Sequence, residues 1–358
     1  MSDVAVVAGL GSWLPPRTVS NEQLCARVGG SAQWIEQRVG VRRRHVVSPG
    51  EATCDLAVRA GGRVLRAAGG AGVDAVVLAT TSPDRLCPAT APEVASRLGC
   101  GPVLAFDVSA ACSGFLYGLA VCAGLVSAGL ATRVLFIGAE AFTTLVNPLD
   151  RTTAAVFGDG AGAVLLRGGT LDEPGALGPF VLGSDGARSD LLAVPAGGSR
   201  QRSRCGLGHD GHVPDADWYL AMAGPALFRQ AVVRMAESSR TALDRAGWSL
   251  SDVDVFVGHQ ANLRILDAVS ERLGIPHERV AVNIGRVANT LTASVPLALV
   301  DAVVEGRLRP GHRVLLCAFG AGPTWGATTL VWPEIPTAHL IGSGAVSRST
   351  GTHAAVHD

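Results

Sequence analysis

Asp107-Val-Ser-Ala-Ala-Cys-Ser-Gly114 closes the apolar run Val103–Asp107 and opens onto an uncharged stretch, Phe115–Thr132. The run reads as a strand, and the alanine- and glycine-rich stretch beyond it as a long helix. Cys112 therefore stands at a helix start, where the positive end of the dipole and nearby backbone N–H groups favour the thiolate that attacks acyl groups. A cysteine in isolation is more often a small buried thiol. Its role depends on what the rest of the chain sets beside it.

The uncharged stretch approaches the length of a membrane span. Gly118, Gly124 and Gly129 punctuate it, however, and strand-like runs flank it on both sides. A helix buried on all sides of a layered α/β core reads the same way and fits those flanks better. Val4–Ala8, Ala75–Ala79, Val103–Asp107, Val134–Ile137 and Ala163–Leu166 are the strand-like runs of the first half. Val255–Val257, Val280–Ile284, Val314–Ala318 and Ala327–Val331 are those of the second. Runs of this kind alternating with helical segments predict buried sheets between helix layers.

The two halves repeat one another. Val73-Asp-Ala-Val-Val77 echoes Val253-Asp-Val-Phe-Val257, Arg97-Leu-Gly99 echoes Arg272-Leu-Gly274, and Arg133-Val-Leu-Phe136 echoes Arg313-Val-Leu-Leu316. A duplication changes the expected fold, and we divide the chain into halves at 1–172 and 173–335. In this register Cys112 falls beside the counterpart of Asn289, and His259 beside that of Thr80. Strand ends of two pseudo-symmetric halves converge on one crevice, which groups Cys112, His259 and Asn289. The segment from Asp172 to about Asp217, with its Ala196-Gly-Gly-Ser-Arg-Gln-Arg-Ser-Arg204, reads as connection and surface loops. Residues 336–358 lack periodicity and are expected to form a disordered tail.

Composition removes several function classes. The 358 residues are 48% hydrophobic and carry no formal net charge, which argues against nucleic-acid binding and a polybasic membrane patch. All the basic residues are arginine, so neither a pyridoxal phosphate Schiff base nor a standard P-loop has its lysine. The eight cysteines form no C-x-x-C pair and no zinc-like cluster with histidine, which predicts no metal and a reduced, cytoplasmic setting. The N-terminus, Met1-Ser-Asp-Val-Ala5, lacks the basic region of a signal peptide. Gly158-Asp-Gly-Ala-Gly162 is followed by a strand instead of a helix, so it reads as close backbone packing and not as a phosphate cradle. The pair Gly9-Leu-Gly11 is too short for a dinucleotide fingerprint.

His259 lies in Val257-Gly-His-Gln-Ala-Asn-Leu-Arg264 just after a strand, and Asn289 lies in Ala288-Asn-Thr290. A histidine supplies a thiol with a proton acceptor, and Phe319-Gly-Ala-Gly-Pro-Thr-Trp-Gly326 is placed to offer N–H groups to an oxyanion. Cysteine, histidine and asparagine without a metal suit acyl-enzyme formation followed by stabilisation of a thioester enolate.

Over residues 3–333 the chain resembles the thiolase-fold condensing enzymes, most closely β-ketoacyl-acyl carrier protein synthase III. The resemblance rests on Asp107-Val-Ser-Ala-Ala-Cys-Ser-Gly-Phe115, Phe157-Gly-Asp-Gly-Ala-Gly-Ala163, His259-Gln-Ala-Asn-Leu-Arg264, Ala288-Asn-Thr290 and Phe319–Gly326, in that order. It implies a thiolase-like fold, five-layered α-β-α-β-α, from two pseudo-symmetric α/β halves. By the same resemblance Cys112 accepts an acyl group from acyl-CoA. His259 and Asn289 then bind the thioester carbonyl of malonyl-acyl carrier protein and stabilise its enolate. The N–H groups of Cys112 and Ala321 form the oxyanion hole. Trp34, Arg38 and Arg151 are the CoA-binding positions, Cys87 and Phe319 the acyl-pocket positions, and Arg264 and Arg229 the carrier-protein docking positions. The resemblance then implies that acyl-CoA is a substrate, with no resident cofactor, and that the chain is a homodimer initiating fatty-acid or polyketide synthesis, the latter including a starter-unit ketosynthase of secondary metabolism.

Three positions depart from the family pattern. Cys87, in Arg85-Leu-Cys-Pro88, replaces a bulky aromatic that caps the acyl pocket across the dimer, which predicts room for longer or branched chains. Pro225 stands where many relatives place an Asn on the pantetheine arm, and Pro323 gives its loop a Gly-Pro character reminiscent of chalcone-type synthases. Two other activities are compatible with this framework. One is an acyltransferase passing the acyl group from Cys112 to an oxygen, nitrogen or carrier thiol without decarboxylation; the other is a non-catalytic partner that shapes acyl chains. Retention of Asn289 weighs against the first and Cys112 against the second.

Overall fold

The structure is a computed structural model that describes residues 4–70, 72–205, 213–336 and 340. Nine strands build its two principal sheets: β1 (Val4–Trp13), β2 (Ala75–Ala79), β3 (Leu104–Val108), β4 (Arg133–Glu140) and β5 (Gly160–Gly169), then β6 (Val181–Ser184), β7 (Val255–Gly258), β8 (Arg313–Gly320) and β9 (Thr324–Val331). The helices that cover them are α1 (Ala32–Val39), α2 (Thr53–Ala67), α3 (Ala91–Arg97), α4 (Gly114–Ser127), α5 (Gly224–Ala246), α6 (Leu263–Leu273) and α7 (Ser294–Val304).

The first sheet runs β1-β5-β4-β2-β3 and the second β6-β9-β8-β7. In each, a parallel pair (β2 with β4, β7 with β8) is followed by two antiparallel neighbours. The sheets are therefore the same sheet built twice. One core cluster places α2 and α3 on the outer face of the first sheet, and another places α5 and α6 on the outer face of the second. The largest cluster joins α4 and α7 between the inner faces. Helix, sheet, helix pair, sheet and helix make the five layers.

The middle layer explains the composition of the opening stretch. Phe115, Leu116, Leu119 and Cys122 of α4 are buried, and Phe115 stacks on Phe136 of β4 with ring centroids 5.2 Å apart. The part of α4 that lies between the sheets has no face for charge, while Val121, Gly124 and Ser127 are exposed. Among the described residues, no helix is long and apolar enough to cross a membrane.

Three expectations need correction. Val280–Ile284 is not a strand: only Val280 pairs, in an isolated parallel bridge to Phe256. The side chain of Gln260 takes the place of the ladder, its Nε2 donating to Gly258 O (2.8 Å) and Ala281 O (3.0 Å) while its Oε1 accepts from Asn283 N (3.0 Å). The connecting segment from Asp172 is more than loops, since it supplies β6, paired with β9. Within the expected tail, Leu340 is buried and its carbonyl accepts from Ser12 N (3.2 Å) and Ser12 Oγ (2.9 Å). Pro336 is exposed, and the remainder of the tail lies outside the described residues.

The register of the repeat is also sharper than the sequence comparison implied. The 3-10 turns Ala111–Ser113 and Leu291–Ala293 precede α4 and α7, and their first residues share a left-handed φ of 45° and 47°. Cys112 is therefore the counterpart of Thr292, three residues beyond Asn289.

Candidate active site

β3 delivers the chain to the turn Ala111–Ser113, where Cys112 is buried. Ser113 anchors this turn by donating from Oγ to Ala110 O (2.8 Å) and by bonding Thr324 Oγ1 (2.6 Å). From the other half, the β8–β9 connection presses on the nucleophile. A Cβ added at Gly320 would lie 2.7 Å from Cys112 N and 2.8 Å from Ser113 N, so only glycine fits this approach. Ala321 follows in the same connection, and it is not among the residues with positive φ.

His259 follows β7, its own N–H donating to Cys317 O on β8 (2.8 Å). Its ring is buried, with Nδ1 2.6 Å from Ser294 Oγ at the start of α7 and Nε2 without a hydrogen-bond partner. Burial lowers the His259 pKa to about 3, so the ring is neutral at physiological pH.

Asn289 is clamped by the first half of the chain. Its N–H donates to Val156 O (3.0 Å), and its carbonyl accepts from Gly158 N (2.9 Å). A Cβ at Gly158 would meet Val287 O at 2.6 Å, so the glycine-rich stretch serves close backbone packing. Asn289 Oδ1 accepts from Leu291 N (2.9 Å), which leaves Nδ2 as the free donor end of the amide.

These three residues meet in one cavity of about 560 Å³. Trp34, Arg38, Arg229, Arg264 and Pro225 line it as well, and these five are exposed. Between them and Cys112 the wall is apolar, from Val156, Phe157, Leu192, Met222, Phe228 and the buried Phe319. Arg151 does not line the cavity, but its guanidinium covers the Trp34 ring 5.5 Å from the centroid. Cys87 is exposed and lines no part of the cavity of its own chain. An acyl-pocket role for Cys87 therefore requires a second copy.

The expected thiolate is not what the resting site favours. Cys112 precedes α4 by two residues, and desolvation by burial pushes its thiol well above the ordinary range, with the carboxylate of Glu140 adding to the effect. The site holds a neutral thiol beside a neutral imidazole. Glu140 itself closes β4 in complete burial, and desolvation raises its pKa to about 7 against the hydrogen bonds it accepts. Sequence reading also missed Ser294 and Gly320. Ser294 opens α7 five residues beyond Asn289, and Gly320 sits inside a motif read only for its neighbour.

Comparisons with known proteins identify the family. Residues 106–186 match the family 3-oxoacyl-[acyl-carrier-protein] synthase III, and residues 243–332 match the C-terminal part of the same family. The chain is 53% identical over 335 residues to β-ketoacyl-[acyl-carrier-protein] synthase III 5 of Streptomyces coelicolor, covering 94% of this chain and 99% of the relative. It is similar to the crystal structure of 3-oxoacyl-(acyl carrier protein) synthase III from Pseudomonas aeruginosa, with 49% identity, a TM-score of 0.86, and 93% and 99% of the two chains covered. It is also similar to the priming β-ketosynthase of the R1128 polyketide pathway, with 34% identity, a TM-score of 0.86, and 94% and 98% covered.

Proposed function

Because this chain belongs to the 3-oxoacyl-[acyl-carrier-protein] synthase III family, we propose that Cys112, His259 and Asn289 divide the two stages of a decarboxylative condensation between them. The chain is an acyltransferase of the condensing class that initiates fatty-acid or polyketide synthesis. The observation that carries the assignment of residues is their convergence, from both halves of the repeat, on one cavity.

In the first stage Cys112 Sγ attacks the carbonyl of an acyl-CoA. The oxyanion is received by the N–H groups of Cys112 and Ala321, and the CoA thiol leaves with the proton that Cys112 carried. No standing thiolate is needed, because the proton passes from one thiol to the other. Exposed Trp34 and Arg38, with Arg151 beside them, offer stacking and charge to the nucleotide end of CoA. Pro225 has no backbone N–H and adds none to the pantetheine arm. Acyl-CoA is a substrate, and no resident cofactor takes part.

In the second stage malonyl-acyl carrier protein enters the same cavity, with Arg264 and Arg229 at its exposed edge facing the acidic carrier. With the proton on Nε2 and Nδ1 accepting from Ser294 Oγ, the His259 ring joins Asn289 Nδ2 as the second donor to the thioester carbonyl. Loss of carbon dioxide leaves the enolate on that oxygen. Its carbon attacks the acyl-Cys112 carbonyl, and Cys112 departs as thiolate and takes a proton from solvent. A homodimer completes the pocket through Cys87 of the second copy. Supporting this, β3 has a neighbour on one side only among the described residues, and Leu104 on it and Leu86, next to Cys87 in the chain, are exposed. A thiol in place of a larger side chain admits longer or branched acyl groups.

The test is release of carbon dioxide from malonyl-acyl carrier protein by purified protein preloaded with acyl-CoA. Formation of a β-ketoacyl product is expected. Transfer of the acyl group without carbon dioxide release overturns the reading in favour of simple acyl transfer.

A further inference from the structure

Glu140 is completely buried, and among the described residues no cation pairs with it. Its carboxylate is caged instead by donors: Thr81 N at 3.0 Å, Ser82 Oγ at 2.7 Å and Thr292 Oγ1 at 2.8 Å, with Thr80 Oγ1 at 3.4 Å. A buried carboxylate without a cation is costly, and hydrophobic packing would stabilise the fold better. Its place in the repeat shows what it holds. Glu140 ends β4 where Gly320 ends β8, and Thr292 stands where Cys112 stands. Gly320 lets β8 press its backbone onto the Cys112 turn, where no side chain fits, while Glu140 reaches the equivalent turn with its carboxylate and grips it by the Thr292 hydroxyl.

That turn touches both donors. Asn289 is tied to it through Leu291 N, and Ser294, the partner of His259, follows it directly. Thr292 also touches the Cys112 side: its Cγ2 lies 2.7 Å from where a Cβ on Gly114 would be. We propose that Glu140 is a positioning residue for the condensation, which through Thr292 holds the Asn289–Ser294 turn, and with it both enolate donors, against the Cys112 turn. The inference rests on the condensation assigned above. The carboxylate also faces the thiol electrostatically, so its removal has opposite consequences for the two stages.

Three full-length variants test this, Thr292→Val, Thr292→Ser and Glu140→Gln, each measured for acyl capture on Cys112 and for carbon dioxide release from malonyl-acyl carrier protein. Thr292→Val removes the hydroxyl and keeps the shape. It is expected to lower carbon dioxide release by about tenfold while acyl capture stays within about twofold, and Thr292→Ser is expected to restore most of the loss. Glu140→Gln is expected to lower carbon dioxide release and to speed iodoacetamide alkylation of Cys112 at pH 8, because the charge opposing the thiolate is gone. A merely structural role lowers both stages together and slows alkylation. Wild-type carbon dioxide release in Thr292→Val and Glu140→Gln, parallel loss of both stages, or failure of all three variants to fold overturns the inference. Wild-type protein that releases no carbon dioxide overturns the condensation itself, which separates the two failures.

Discussion

His259 keeps its ring neutral by burial and in place by Ser294, and both have measurable consequences. Because burial lowers its pKa to about 3, protonation of the ring does not limit carbon dioxide release between pH 5 and 8. A rate that falls below about pH 6.5 and loses that limb in His259→Asn would contradict this. Ser294→Ala releases Nδ1, so we expect carbon dioxide release to drop on the order of tenfold with acyl capture on Cys112 largely retained. For the thiol the shift has the opposite sign. Its raised pKa makes alkylation of the free enzyme climb through pH 9 without a plateau, and a plateau near neutrality would mean a standing thiolate. Cys112, His259 and Asn289 were legible as residues because each sits in its own short motif. The protonation state was not, because it depends on burial and on Glu140, which comes near Cys112 only when β4 and the 3-10 turn are folded.

At the level of elements, the strands that carry these residues announce themselves as apolar runs, and β2, β4, β7 and β8 appear close to where those runs lie. Val280–Ile284 has the same apolar character and fails as a strand because a side chain, Gln260, satisfies its backbone; no pattern along the chain reveals that substitution. The connections matter as much as the strands. Gly158→Ala puts a Cβ 2.6 Å from Val287 O, a backbone atom that has no rotamer to change. Moving the Asn289 loop to relieve it costs about 1–3 kcal/mol of stability and reduces carbon dioxide release more than acyl capture, measurable by denaturation and by the two half-reactions. The end of β4 adds a pH dependence. Burial raises Glu140 from 4.5 unfolded to about 7 folded, so the native state favours its protonated form. That contribution is complete below about pH 4.5, is lost as pH rises through about 7, and amounts to roughly 3 kcal/mol. Between pH 5 and 8 the stability of Glu140→Gln is expected to fall less than that of the wild type, and equal slopes would contradict the assignment.

For the whole molecule, the decisive property is duplication followed by divergence at one point. Two copies of a sheet, joined by α4 and α7, bring two equivalent turns together, one keeping a thiol under a closely packed glycine strand end and the other a threonine under a carboxylate. The five-layered arrangement was implied by the family resemblance; the repeat was visible in the echoing strands, which predicted sheets between helix layers. Its register was not, because the positive φ of Ala111 and Leu291, which aligns the turns, leaves no mark in residue type. In the proposed mechanism the same division separates the two stages of reaction: capture belongs to the Cys112 half, and enolate formation to the His259 and Asn289 half. Intact-mass measurement of wild type and Cys112→Ser, exposed to a panel of acyl-CoA thioesters and then to malonyl-acyl carrier protein, tests this most directly. The account predicts one acyl mass on the wild type and none on Cys112→Ser. Adding the malonyl carrier then removes that mass with release of carbon dioxide. An acyl mass that persists on Cys112→Ser, or that leaves the wild type without carbon dioxide, would contradict it.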